Sequence, residues 1–229
     1  MRRSFPPNDF NDFARLRKSA SDPVFRIPQD DGFPLGVFGA AKIEQFDVEP
    51  ERAFISNLQS LFSGVRGDIE PGRYTRLYVG GTLMMSDTPA EMCTMHDLFR
   101  NARGRGLITG LGLGTTLRGC LLDSAVEHVT VIELCADLIA ALEPWFHERW
   151  PGRFTFVQAD ALAYRPAKGE RYEFIWHDIW PDINIDNLPE YATLSRRWGR
   201  RCDWQGFWQR EYLISRRNQE YREQRSWSW

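Results

Sequence analysis

The chain has 229 residues, of which 42% are apolar and 26% charged, with a formal charge of −2. That length buries a full core as one large domain or as one domain with a small appendage, and the balance is that of an ordinary globular protein. A membrane-spanning helix is not expected, because no apolar run approaches the roughly 18 residues one needs.

Residues 1–9 carry basic side chains but no apolar stretch, so a secretory signal is not expected. The four cysteines (Cys93, Cys120, Cys135, Cys202) lack CxxC or Cys/His spacing. Metal is therefore not expected, and reduced thiols in a cytoplasmic protein are.

Residues 1–33, rich in Pro, Asp, Asn and Arg, read as an irregular arm. Val37 to Val48 predicts a strand pair or one long bent strand. Pro50 to Phe62 predicts a helix with Phe54, Leu58, Leu61 and Phe62 on one face. Arg73–Val79 and Thr82–Met85 flank Gly80-Gly81 and predict a hairpin. Thr88-Pro-Ala-Glu91 has the form of a capping box with proline at the first helical position, opening a helix to about Ala102.

The pattern then alternates: strand 106–110, helix 115–123, strand 128–133, helix 136–149, strand 153–158 and strand 173–178. Alternation of this kind predicts an α/β protein with a parallel sheet, whose strand ends meet at one edge. The last 50 or so residues read as two helices, roughly 187–199 and 203–225. Either the sheet is truncated after its fourth strand, or a further strand hides in this polar segment.

The chemistry gathers around Gly110-Leu-Gly-Leu-Gly114. Glycines at alternate positions, ending a buried strand and opening a helix, let the backbone turn tightly and approach a ligand closely. Thr115 stands where a dinucleotide pattern wants glycine or alanine, which disfavours a pyrophosphate. Glu133 ends the next strand about 20 residues on, the separation at which a carboxylate meets a ribose. Asp160-Ala161 follows the third strand, and there a carboxylate either accepts from an exocyclic adenine amine or caps the following turn. Asp178 ends the fourth strand, where it would meet a cation or an attacking amine. Trp180 either stacks on a substrate or cation, worth about 0.5–2 kcal/mol, or packs in the core. His177 points to the other face and reads as structural.

Gly110–Gly114, Val131-Ile-Glu133, Gln158-Ala-Asp160-Ala161 and Phe174–Asp178 occur in order and at spacings that resemble the class I S-adenosylmethionine-dependent methyltransferases. Within that class the chain is most similar to the spermidine-synthase-like branch, and the resemblance covers about residues 73–182. It implies a small β-rich N-terminal domain with helices (34–102) and a Rossmann-like nucleoside-binding domain (103–186); the sequence beyond it reads as a helical Arg/Trp-rich C-terminal segment (187–229). It also implies S-adenosylmethionine, or its decarboxylated form, held by Gly110, Gly112, Gly114 and Thr115. Glu133 would then lie on the ribose, Asp160 and Ala161 at the adenine, Asp178 at the transfer centre, and Trp180 and Asp182 toward the acceptor. The chain departs from aminopropyltransferases in having Pro89-Ala90 before Glu91, Pro181 before Asp182, and Cys135 in place of an acid.

The activity these residues point to is methyl transfer to an unidentified acceptor. Aminopropyl transfer is the alternative, and a non-catalytic protein that binds a partner through its C-terminus is a third reading. The partners expected are a small-molecule or protein acceptor and a second copy in a homodimer, with no membrane. Residues 196–229 hold nine Arg, four acids and five Trp. They read first as a solvated amphipathic helix and second as a nucleic-acid or acidic-protein surface.

Overall fold

The structure, a computed structural model, describes residues 27, 32–55 and 69–226. Two sheets share one core. The first is antiparallel with order β1-β2-β3-β4, formed by β1 (Gly36–Phe38), β2 (Ala41–Val48), β3 (Gly72–Val79) and β4 (Thr82–Ser86). Gly80 and Gly81, both left-handed, close the expected β3–β4 hairpin. Val37–Val48 resolves into a strand pair around Gly39-Ala40. Residues 50–55 are helical (α1), and the rest of the helix expected up to Phe62 lies outside the described residues, as does most of the 1–33 arm.

The β1–β4 sheet turns Ala41, Ile43 and Leu77 inward, all at most 1% exposed. Its outer face carries Lys42, Glu44 and Arg76, joined by ion pairs of 2.6 and 2.8 Å. After β4 come α2 (Pro89–Met92), a 3-10 turn (Cys93–Met95) and α3 (His96–Asn101).

The second sheet is parallel throughout, order β7-β6-β5-β8-β9. It comprises β5 (Gly104–Thr109), β6 (Val126–Glu133), β7 (Phe154–Gln158), β8 (Tyr172–His177) and β9 (Cys202–Phe207). The order reverses between β5 and β8. That is the Rossmann-like arrangement, in which the carboxyl ends of the strands frame a crevice at the switch point. Side-chain alternation divides the sheet between two layers. Ile108, Val129, Val131, Phe174 and Trp176 pack against α4 (Thr115–Leu122) and α5 (Ala136–Arg149), in the core the antiparallel sheet also joins. Leu107, Ile132 and Ile175 pack against α6 (Leu188–Trp198) and α7 (Arg210–Ser226).

The sheet does not stop at a fourth strand. β9 lies inside the stretch expected to be helical, and helix resumes only at Arg210. Only Cys202-Asp-Trp-Gln205 alternates before Gly206 interrupts the pattern, which is too short a signal to mark an edge strand. Trp204 stacks on Trp176 (centroids 6.3 Å, 6°), and Gln205 Nε2 lies 2.9 Å from His177 Nε2, so tertiary contacts hold the strand where local preference does not. Among the described residues, no helix is long and apolar enough to cross a membrane.

Candidate functional site

β5 delivers the glycine turn to the switch point. Gly110, Gly112 and Gly114 have φ of +91°, +54° and +76°, a region that costs an L-residue about 1–2 kcal/mol. Gly110 N–H donates to Ile132 O of β6 at 2.8 Å, and Asp178 N–H donates to Thr109 O at 2.9 Å. The turn is thus tied to both neighbouring strands. A Cβ on Gly110 would overlap the Asp178 carbonyl oxygen, so only glycine lets the exit of β8 pass this close. Thr115, 2% exposed, opens α4, and its hydroxyl has no hydrogen-bond partner among the described residues. A buried, unsatisfied hydroxyl beside a left-handed turn suits a ligand that brings its own polar atoms.

Glu133 turns toward the glycines. Its Oε2 accepts from Leu111 N–H at 2.8 Å and its Oε1 from Cys135 N–H at 2.7 Å. The residue is half-buried, and each oxygen keeps acceptor capacity for a further donor. Asp160 follows β7 and is exposed, with Oδ1 accepting from Leu162 N–H at 2.7 Å. The turn-capping reading of Asp160 therefore describes its present contacts, and its second oxygen stays available. Ala161 is buried, and its carbonyl accepts from Arg197 Nη1 at 2.8 Å while Leu162 O accepts from Nη2 at 2.6 Å. Arg197 of α6 therefore anchors the 160–162 loop. Sequence carries no signal for that role, because one arginine in a basic helix looks like its neighbours.

Asp178 feels the charge of Glu91, a carboxylate on α2. Burial first, then the charge of Glu91, raises the Asp178 pKa to about 7. Burial also raises Glu91 to about 7. Glu91 does not form the expected capping box. Thr88 makes no side-chain cap bond, and Glu91 Oε2 instead accepts from Ser86 N–H (2.7 Å) and Ser86 Oγ (2.8 Å). A short helix cannot turn its Glu back on its own cap when the preceding strand offers closer donors. Two carboxyls of near-neutral pKa thus come from α2 and from the end of β8, and the charge of Glu91 reaches Asp178.

The remaining expected residues are placed differently. Trp180 is 5% exposed, stacks on Tyr191 (centroids 3.6 Å, 5°) and donates Nε1 to Glu190 at 2.7 Å. Of its two readings, the structure gives core packing. Asp182 is exposed and accepts from Asn187 Nδ2 at 3.4 Å. His177 is buried between Thr109 Oγ1 and Gln205 Nε2, each at 2.9 Å, and burial holds its pKa down to about 3. It stays neutral and structural, as its strand position implies.

One contact lies beyond local sequence pattern. Met85 of β4 reaches the glycine turn, where its Sδ accepts from Leu113 N–H at 3.0 Å. A methionine in a hairpin strand reads as plain core.

No protein-family model and no curated protein matches the chain. Among solved structures the chain is similar to DhpI in complex with SAH (18% identity over 46% of this chain and 49% of that one, TM-score 0.35). It is also similar to spermidine synthase from Thermotoga maritima (19%, 55% and 49%, TM-score 0.37) and to coclaurine N-methyltransferase bound to N-methylheliamine and SAH (18%, 38% and 27%, TM-score 0.32). The chain spans 49% and 47% of the lengths of the first two solved structures it matches.

Proposed function

We propose that this chain binds S-adenosylmethionine in the crevice between β5 and β8 and transfers its methyl group to an acceptor met at Asp178. The observation that carries the reading is the bridge from Leu111 N–H to Glu133, which joins a left-handed glycine turn to a carboxylate on the neighbouring strand. In this reading Gly110, Gly112, Gly114 and Thr115 hold the nucleoside's backbone-facing side. Glu133 accepts from the ribose hydroxyls, Asp160 from the adenine amine, and Ala161 lies beside the base.

The bound sulfonium supplies an activated leaving group, so the protein's part is alignment and exclusion of water. Asp178 and Glu91 complement positive charge and can take a proton from an amine or hydroxyl acceptor near neutral pH. Asp182 lies on the loop beyond them. This carboxyl pair also favours a second reading, aminopropyl transfer to an amine.

Calorimetry with S-adenosylmethionine, its decarboxylated form and S-adenosylhomocysteine tests the site and separates the two donors. A labelled-methyl screen then identifies the acceptor. Absence of binding by all three nucleosides would end both readings and leave the partner-binding one.

A further inference from the structure

The path that brings Met85 to the glycine turn is a built one. Leu83 pairs with Tyr78 on the outer face of the antiparallel sheet, yet Met85 pairs with the buried Leu77, because β4 carries an extra residue at Met84. Without that bulge, regular alternation would put Met85 on the outer face with Leu83. With it, the thioether occupies the space a Cβ on Gly112 would take and accepts the Leu113 N–H. A thioether is a weak acceptor. The N–H groups of a left-handed glycine turn suit hydroxyl or carboxylate oxygens far better.

We propose that Met85 is a removable stopper of the nucleoside site. It covers the Gly112–Leu113 part of the turn and swings out when a ligand enters, so the β3–β4 hairpin sets cofactor affinity. The inference rests on the nucleoside-binding reading given above. Its physical content is competition: the ligand must break the sulfur contact before making its own, so removing the sulfur tightens binding.

The test is calorimetric titration of S-adenosylhomocysteine into the 229-residue chain and its Met85→Ala and Met85→Leu variants, with thermal unfolding to confirm that each is folded. Met85→Ala is expected to bind about tenfold more tightly than the parent, the scale of one lost competing contact. Met85→Leu, which keeps bulk but loses the acceptor, should gain less, and it carries the test alone if the alanine variant does not fold. The labelled methyl resonance of Met85 should move on saturation. Equal or weaker binding by the variants, or an unmoved methyl, overturns the stopper and leaves the nucleoside site standing. Absence of binding by parent and variants overturns both.

Discussion

Leu111 N–H donates to Glu133 Oε2 across 2.8 Å while Cys135 N–H holds the other oxygen at 2.7 Å. One carboxylate therefore fixes the glycine turn and the start of α5 together. Glu133→Ala should lose a charge-assisted acceptor for two backbone donors and, in the proposed reading, for the ribose. S-adenosylhomocysteine affinity should fall by about 1–3 kcal/mol. Glu133→Gln, which retains one acceptor oxygen, should lose less. Calorimetry on the three proteins reads the order, and an unchanged dissociation constant in the alanine variant removes Glu133 from the site.

The glycines of the turn should not be equally replaceable. A Cβ on Gly110 meets a backbone carbonyl, that of Asp178, whereas a Cβ on Gly112 meets only the flexible end of Met85. Both sites have positive φ. Gly112→Ala should cost roughly 1–2 kcal/mol of backbone strain, and Gly110→Ala should cost more than about 3 kcal/mol because β8 must move. Urea unfolding measures both, and equal losses would contradict the packing at Asp178.

How far the sequence revealed this arrangement depends on whether each signal is local. The glycine turn, Glu133 and the β5–β8 alternation were legible because strand period, turn chemistry and carboxylate spacing lie within short windows. β9 was not, because Gln205 and Trp204 find their partners, His177 and Trp176, 28 residues back along the chain. Glu91 carried a helix-start pattern that Ser86 overrides. Met85 and Arg197 act across 28 and more than 30 residues respectively, distances no periodicity records.

The Glu91–Asp178 pair gives stability a pH dependence of defined sign. Each carboxyl titrates near 7 in the folded chain and near its ordinary value when unfolded. The folded state therefore holds more protons from about pH 4 to pH 7. The pair's contribution is complete below that window and is lost as pH rises through it. Glu91→Gln should flatten the decline in melting temperature between pH 5 and about 8. It should also lower the Asp178 pKa by removing the charge that helps raise it. A pH profile parallel to the parent's would show that Glu91 does not titrate in this window.

His177 works in the opposite direction. It is fully buried between Thr109 Oγ1 and Gln205 Nε2. Burial keeps it neutral down to about pH 3, whereas the unfolded chain protonates it near 6.5. Between those values the unfolded state binds the extra proton, so this contribution is complete above about pH 6.5 and drains away as pH falls toward 3. His177→Phe keeps an aromatic ring against Phe207 (centroids 4.6 Å) but strips partners from Thr109 and Gln205. At pH 8 it should cost about 1–3 kcal/mol for the groups left unsatisfied. Its deficit should shrink as the parent loses stability toward pH 4. Urea unfolding at pH 8, 6 and 4.5 reads both effects, and a deficit that stays constant with pH would mean that His177 takes up its proton as readily in the fold as in the unfolded chain.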